Sequence, residues 1–274
     1  MHQIWGTLGG RWYVTVFGAT FLWRASRYLG WKRTMLYAVA AVGVGALAEN
    51  CSVHFGFPYT GYSFNPALRH HEIFIGDVPL MVPLSYTFLG YFGFTAGRLL
   101  TSGPGQTRAR RPWHEYLVAL VLTVWALWIM DPVSRLGPRW FLGPVFHYRG
   151  PGFWFGLPLG SQAGFTLTAA ILLAILTSMT RDEPNRRIER WVDHPHLVSL
   201  VTYNGQILWL AIVAMVLGAD ELAGSALLIW VPAAAMSAVL WSVLRTVPAV
   251  SAPPGGSRTS PAPREEPARP RVRT

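Results

Sequence analysis

The chain has 274 residues, 51% hydrophobic and 13% charged, with 13 tryptophans, a formal charge of +10 and a single cysteine, Cys51. So apolar a composition is that of a polytopic membrane protein rather than of soluble domains, and one cysteine excludes a disulfide framework and a paired-thiol metal or redox site. The arginines cluster between apolar runs, and no basic face carries interleaved aromatics, so nucleic acid is excluded as a partner and the charge is assigned to membrane orientation.

Seven apolar stretches approach the roughly 20 residues that cross a bilayer as helix. They lie at about 4–23, 34–54, 79–100, 114–130, 159–179, 198–218 and 223–244. Gly6, Gly9, Gly10 and Arg11 interrupt the first. It has no basic residue before it and no small-residue cleavage site after it, so it reads as a retained helix rather than a signal peptide. Basic clusters at Arg24–Arg33, Arg98–Arg111, Arg181–Arg190 and Arg245–Arg273 place eighteen of the 23 basic residues on one side, leaving Arg11, Arg69, Arg135, Arg139 and Arg149 on the other. The positive-inside rule then predicts an all-α, polytopic membrane helix bundle of about seven transmembrane helices, with the N-terminus outside and the C-terminus cytoplasmic, in the cell (inner) membrane. Residues 1–247 form the helical domain, and residues 248–274, rich in Pro, Ala, Arg and Ser, form a disordered basic cytoplasmic tail.

Two connections assigned to the outer side resemble one another. The second apolar stretch ends at Glu49 and the fourth at Asp131; each acid is followed by a loop rich in Gly, Pro and aromatics, ending in GDVPL (Gly76–Leu80) and FGLPL (Phe155–Leu159). If the two hairpins pack together, their acids lie near each other at similar depth.

Ionisable groups at membrane depth are expensive, which singles out Glu49, Asp77 and Asp131. The plain alternative is that they cap helices or pair with Arg69, Arg135 or Arg139. Apolar surroundings favour a neutral carboxyl, and two neighbouring carboxyls favour the state in which one keeps its proton. A neutral acid in an apolar, aromatic-rich pocket suits protonation of an isoprenoid alkene: aromatic faces stabilise the tertiary cation and the second carboxylate activates water. Tyr59, Tyr62, Tyr86, Trp140, Phe153 and Trp154 are available to line such a pocket.

Histidines His54, His70, His71 and His147 also fall on the outer side. None has the HxxxH or HxxHH spacing of a membrane di-iron site, so they read as hydrogen-bonding groups, with His54 counted among the substrate contacts, and no metal is expected. Lys32 is the only lysine and precedes the second stretch, so a retinal Schiff base within a helix is excluded.

Taken as an ordered set, Glu49, FGFPYTGYSF (Phe55–Phe64), GDVPLMVPLSY (Gly76–Tyr86), MDP (Met130–Pro132) and FWFGLPLGSQAGF (Phe153–Phe165) resemble the integral-membrane carotenoid biosynthesis proteins that include the CruF-type carotenoid 1,2-hydratases and bisanhydrobacterioruberin hydratases. The likeness runs from about residue 34 to about 215. Ser161 and Phe165 stand where the family pattern has Asn and Trp, and Leu127 where it has an acid. The resemblance implies hydration of the C1,2 double bond of a ψ end group to a tertiary alcohol, without a cofactor, on a lycopene-, γ-carotene- or C50-like carotenoid. It also implies contact with the lipid bilayer and with other carotenoid biosynthesis enzymes. Glu49 or Asp131 is then the general acid and the other positions water, with Asp77 and Tyr62 in support. An end-group cyclase and a non-enzymatic carotenoid-binding protein are the competing readings.

Overall fold

The computed structural model describes residues 2–102, 106–107, 111–137, 144–184 and 195–245; Trp140, Arg139 and the tail at 248–274 lie outside them. Eight α-helices carry the described chain: α1 (His2–Gly10), α2 (Trp12–Leu29), α3 (Trp31–Phe55), α4 (Met81–Thr101), α5 (Pro112–Ser134), α6 (Leu159–Met179), α7 (Leu197–Val216) and α8 (Asp220–Arg245). Of these, α3, α5, α6 and α7 are long and apolar enough to cross a membrane.

The first apolar stretch is two helices rather than one. The break falls at Arg11, whose side chain is buried and ion-paired through Nε with Glu72 at 2.8 Å; a charge held among apolar helices needs such a partner, and turning the backbone there delivers it. α1 lies against the loop after α3. Gln3 donates to the Arg69 carbonyl, and Thr7 accepts from the Ile73 amide.

α4 is the hub. Every residue from Ser85 to Leu99 is buried, and α4 packs on α2, α3, α5, α6 and α7. Its C-terminal end is fixed by charge: Arg98, fully buried, bonds Glu115 of α5 at 2.6 Å, Glu183 at 2.9 Å, Thr180 at 2.9 Å and Tyr28 of α2. Four side chains from three segments therefore converge on one guanidinium.

At the other end of α4 the two long loops meet. β1 (Tyr62–Phe64) of the loop after α3 pairs antiparallel with β4 (Phe146–Tyr148) of the loop after α5, with Tyr62 opposite Tyr148 and Phe64 opposite Phe146. A second hairpin, β2 (Phe74–Ile75) with β3 (Val78–Pro79), leads into α4. Asn50 ties it back to α3, accepting from the Asp77 amide at 3.0 Å and donating to the Ile75 carbonyl at 3.2 Å.

Candidate active site

The acids do not end their helices. α3 runs six residues past Glu49 and α5 three past Asp131, so both carboxyls project from helix sides beneath the paired loops. Continuation of α5 through Pro132 has a visible consequence. Proline lacks the N–H that would bond the carbonyl four residues back, and the freed Trp128 carbonyl accepts instead from the Trp154 indole at 3.0 Å.

Glu49 and Asp131 line the same cavity, near enough for their charges to interact. Space open to the centre of a water molecule is about 60 Å³, room for a few waters. Its walls are largely aromatic, from Tyr13, Tyr59, Tyr62, Phe64, Phe146, Tyr148 and Phe165, with Ser85, Ser134 and Arg11 as further polar groups.

Glu49 is buried and bonded to the Tyr86 hydroxyl at 2.8 Å. Tyr86 in turn meets Tyr59 Oη at 2.8 Å, Tyr59 meets Thr168 Oγ1 at 2.9 Å, and Thr168 donates to the Gly164 carbonyl at 3.0 Å. Two glycines make this row of contacts sterically open: a Cβ on Gly45 would lie 2.7 Å from the Tyr86 ring, and one on Gly164 would lie 2.4 Å from the Pro58 carbonyl. The Tyr59 amide is fixed by Ser52 Oγ at 2.9 Å. Burial, reinforced by the nearby Glu49 carboxyl, pushes the Tyr59 phenol well above the usual tyrosine range, so it is a neutral hydroxyl.

Asp131 is in a different setting. It is partly exposed, and Tyr148 Oη lies 3.4 Å from its Oδ2; Arg135, one helical turn on, sits over the Tyr148 ring at 5.3 Å. Burial, and secondarily the Asp131 carboxyl, pushes the Tyr148 phenol upward. Tyr62 Oη is buried without a hydrogen-bond partner in the cavity wall.

Of the residues singled out from the sequence, Glu49, Asp131, Tyr59 and Tyr62 line the cavity, and Tyr86 stands directly behind Glu49. Asp77 does not line it: it pairs on the surface with Arg69 and with His54 at 3.0 Å, all three about half exposed. His54 is therefore bound to Asp77 rather than facing the cavity, Trp154 serves the backbone at Trp128, and Phe153 is exposed. Tyr148, Thr168 and Arg11 were not anticipated. Register opposite Tyr62 would have found Tyr148, but a threonine in an apolar helix and an arginine at a helix break give no signal of their own. Among the described residues no three His, Cys, Asp or Glu side chains form a metal-holding group.

These features define a helical membrane protein with a paired-carboxyl, aromatic-walled site. A family model described as carotenoid biosynthesis protein matches residues 9–235, and the chain belongs to that family. No curated protein and no solved structure matches it.

Proposed function

We propose that this chain adds water across the C1,2 double bond of a carotenoid ψ end group, using side chains alone. The observation that carries the reading is that Glu49 and Asp131 share one cavity lined by seven aromatic side chains. Neutral Glu49 gives its proton to C2, the alkene π pair becoming the new C–H bond. The tertiary cation at C1 lies against aromatic faces such as Tyr59 and Phe165. Water held by Asp131 and Tyr62 Oη forms the C1–O bond and loses its proton to Asp131; return of that proton to Glu49 through cavity water resets the site. One water is added and nothing is oxidised.

The two settings suit the two roles. Among the described residues no Lys, Arg or His forms an ion pair with Glu49, whereas Arg135 lies near Asp131. Divergent environments of this kind separate an acid from a base. In this reading the end group enters the cavity and the rest of a lycopene-, γ-carotene- or C50-like chain extends beyond it. We read α2 to α8 as seven crossings of the cell (inner) membrane, with α1 and the paired loops outside and the C-terminus cytoplasmic. Other carotenoid biosynthesis enzymes are the natural suppliers of so apolar a substrate.

Co-expression in a host that makes lycopene or γ-carotene tests the reading by pigment mass. A gain of one water is the expected result. An isomer of unchanged mass would mean ring closure of the same cation, and unaltered pigment in both hosts would overturn hydration of these substrates.

A further inference from the structure

We propose that Glu49, Tyr86, Tyr59 and Thr168 form a reversible hydrogen-bond chain that holds the Glu49 proton before transfer and turns to support the carboxylate afterwards, making Tyr59 and Thr168 positioning residues that act through Tyr86.

The row Glu49–Tyr86–Tyr59–Thr168–Gly164 carbonyl contains four contacts between 2.8 and 3.0 Å. Three hydroxyls supply three hydrogens, and a carbonyl supplies none. All four contacts are hydrogen bonds only if the fourth hydrogen belongs to the Glu49 carboxyl, with the chain running from Glu49 to Gly164. An ionised Glu49 allows three at most, since Tyr86 then donates to the carboxylate and two hydrogens serve the three remaining contacts; in the arrangement that runs wholly toward the carboxylate, Thr168 gives to Tyr59, Tyr59 to Tyr86, and Gly164 is released. That arrangement also leaves a buried carboxylate without a cation, which is unfavourable in an apolar setting. Neutral Glu49 is therefore the resting form, and rotation of three hydroxyls converts one pattern to the other.

Groups facing Glu49 fit this picture. Tyr86 comes from α4, Asp131 from α5 and Tyr59 from the loop after α3, and none of them supplies a positive charge; Arg11, the cation that also lines the cavity, is paired with Glu72 rather than with Glu49. Gly164 is the weak end of the chain, since its carbonyl also belongs to the α6 ladder; releasing it costs least, which is what a reversible chain needs.

The catalytic use of the switch rests on the hydration chemistry proposed above; the protonation pattern does not. Infrared difference spectra of the purified full chain in detergent at pH 7 test it without substrate, by the carbonyl stretch of a protonated carboxyl that Glu49→Gln removes. Thr168→Val takes away the acceptor of the Tyr59 hydrogen, so the neutral pattern strands a buried hydroxyl while the ionised pattern stays complete. The ratio of protonated to ionised Glu49 should fall about tenfold. Thr168→Ser, which keeps the hydroxyl, should restore the wild-type band, as a purely structural role for Thr168 would not require. A wild-type spectrum with no Glu49 band, or a Thr168→Val band equal to wild type in a protein that remains folded and monodisperse, overturns the chain. A normal Glu49 band in a chain that hydrates no carotenoid would leave the switch standing and remove the hydratase reading.

Discussion

Replacing Arg98 should unlock the end of α4 opposite the acids. Its guanidinium is fully buried against Glu115, itself 3% exposed, and also bonds Glu183 and Thr180. Arg98→Ala would leave the Glu115 carboxylate buried with no counter-charge, a loss typically of about 3–5 kcal/mol. Arg98→Met with Glu115→Leu removes both charges and retains volume, so the double variant should recover most of that loss. Tyr86 stands 12 residues before Arg98 on the same helix, roughly 18 Å away at 1.5 Å per residue. Loosening the pinned end would therefore reach the site only through the helix as a body. Thermal unfolding in detergent for wild type, Arg98→Met, Glu115→Leu and the double variant gives the coupling directly, with Arg98→Ala measured beside them. If Arg98→Ala unfolds at the wild-type temperature, the buried cluster does not hold α4 and its role as hub is refuted.

Other expectations follow from the geometry. Asp77→Asn should change product yield less than about fivefold, because half-exposed ion pairs contribute about 1 kcal/mol or less; pigment analysis checks this, and a loss as deep as that of Glu49→Gln would place Asp77 in the chemistry. Tyr62→Phe removes a buried hydroxyl without a partner, so stability should hold or rise, while hydrated product falls about tenfold if that hydroxyl holds the water. Gly164→Ala would put a methyl into the Pro58 carbonyl and the Tyr59 ring; it should lower stability by about 1–3 kcal/mol and reduce product with it, measured by unfolding and pigment yield on the same preparation.

Helix positions were legible because apolar runs at membrane length admit few other structures. The stretch at 159–179 coincides with α6, and those at 34–54, 79–100, 114–130, 198–218 and 223–244 differ from their helices by a few residues at each end. The first stretch failed as a single element because a buried arginine forces a local decision, pairing with Glu72, that periodicity does not contain. Glu49 and Asp131 stood out as charges in apolar sequence, and the echo between their loops has a physical counterpart in the β1–β4 pairing. Asp77 stood out for the same reason, yet its partners, Arg69 on the same loop and His54 in the last turn of α3, keep it at the surface. Trp154 looked like a wall of the substrate pocket; its indole is instead committed to a carbonyl that Pro132 leaves open, a pairing between residues 26 apart that no local pattern announces. Thr168 was invisible for the opposite reason, since a threonine within an apolar helix ordinarily back-bonds to its own turn, and its second contact, with Tyr59, arises only in the folded chain.

In the proposed reaction Glu49 and Asp131 together add water to a carotenoid. Its most direct test is the pigment mass from a lycopene- or γ-carotene-producing host carrying wild type, Glu49→Gln or Asp131→Asn, with membrane levels of the three proteins matched. Loss of a general acid or base typically costs about 10²–10⁴-fold. Wild type should therefore yield carotenoid heavier by one water and each variant at most about one hundredth as much. Hydrated product at the wild-type level from both variants would contradict the account.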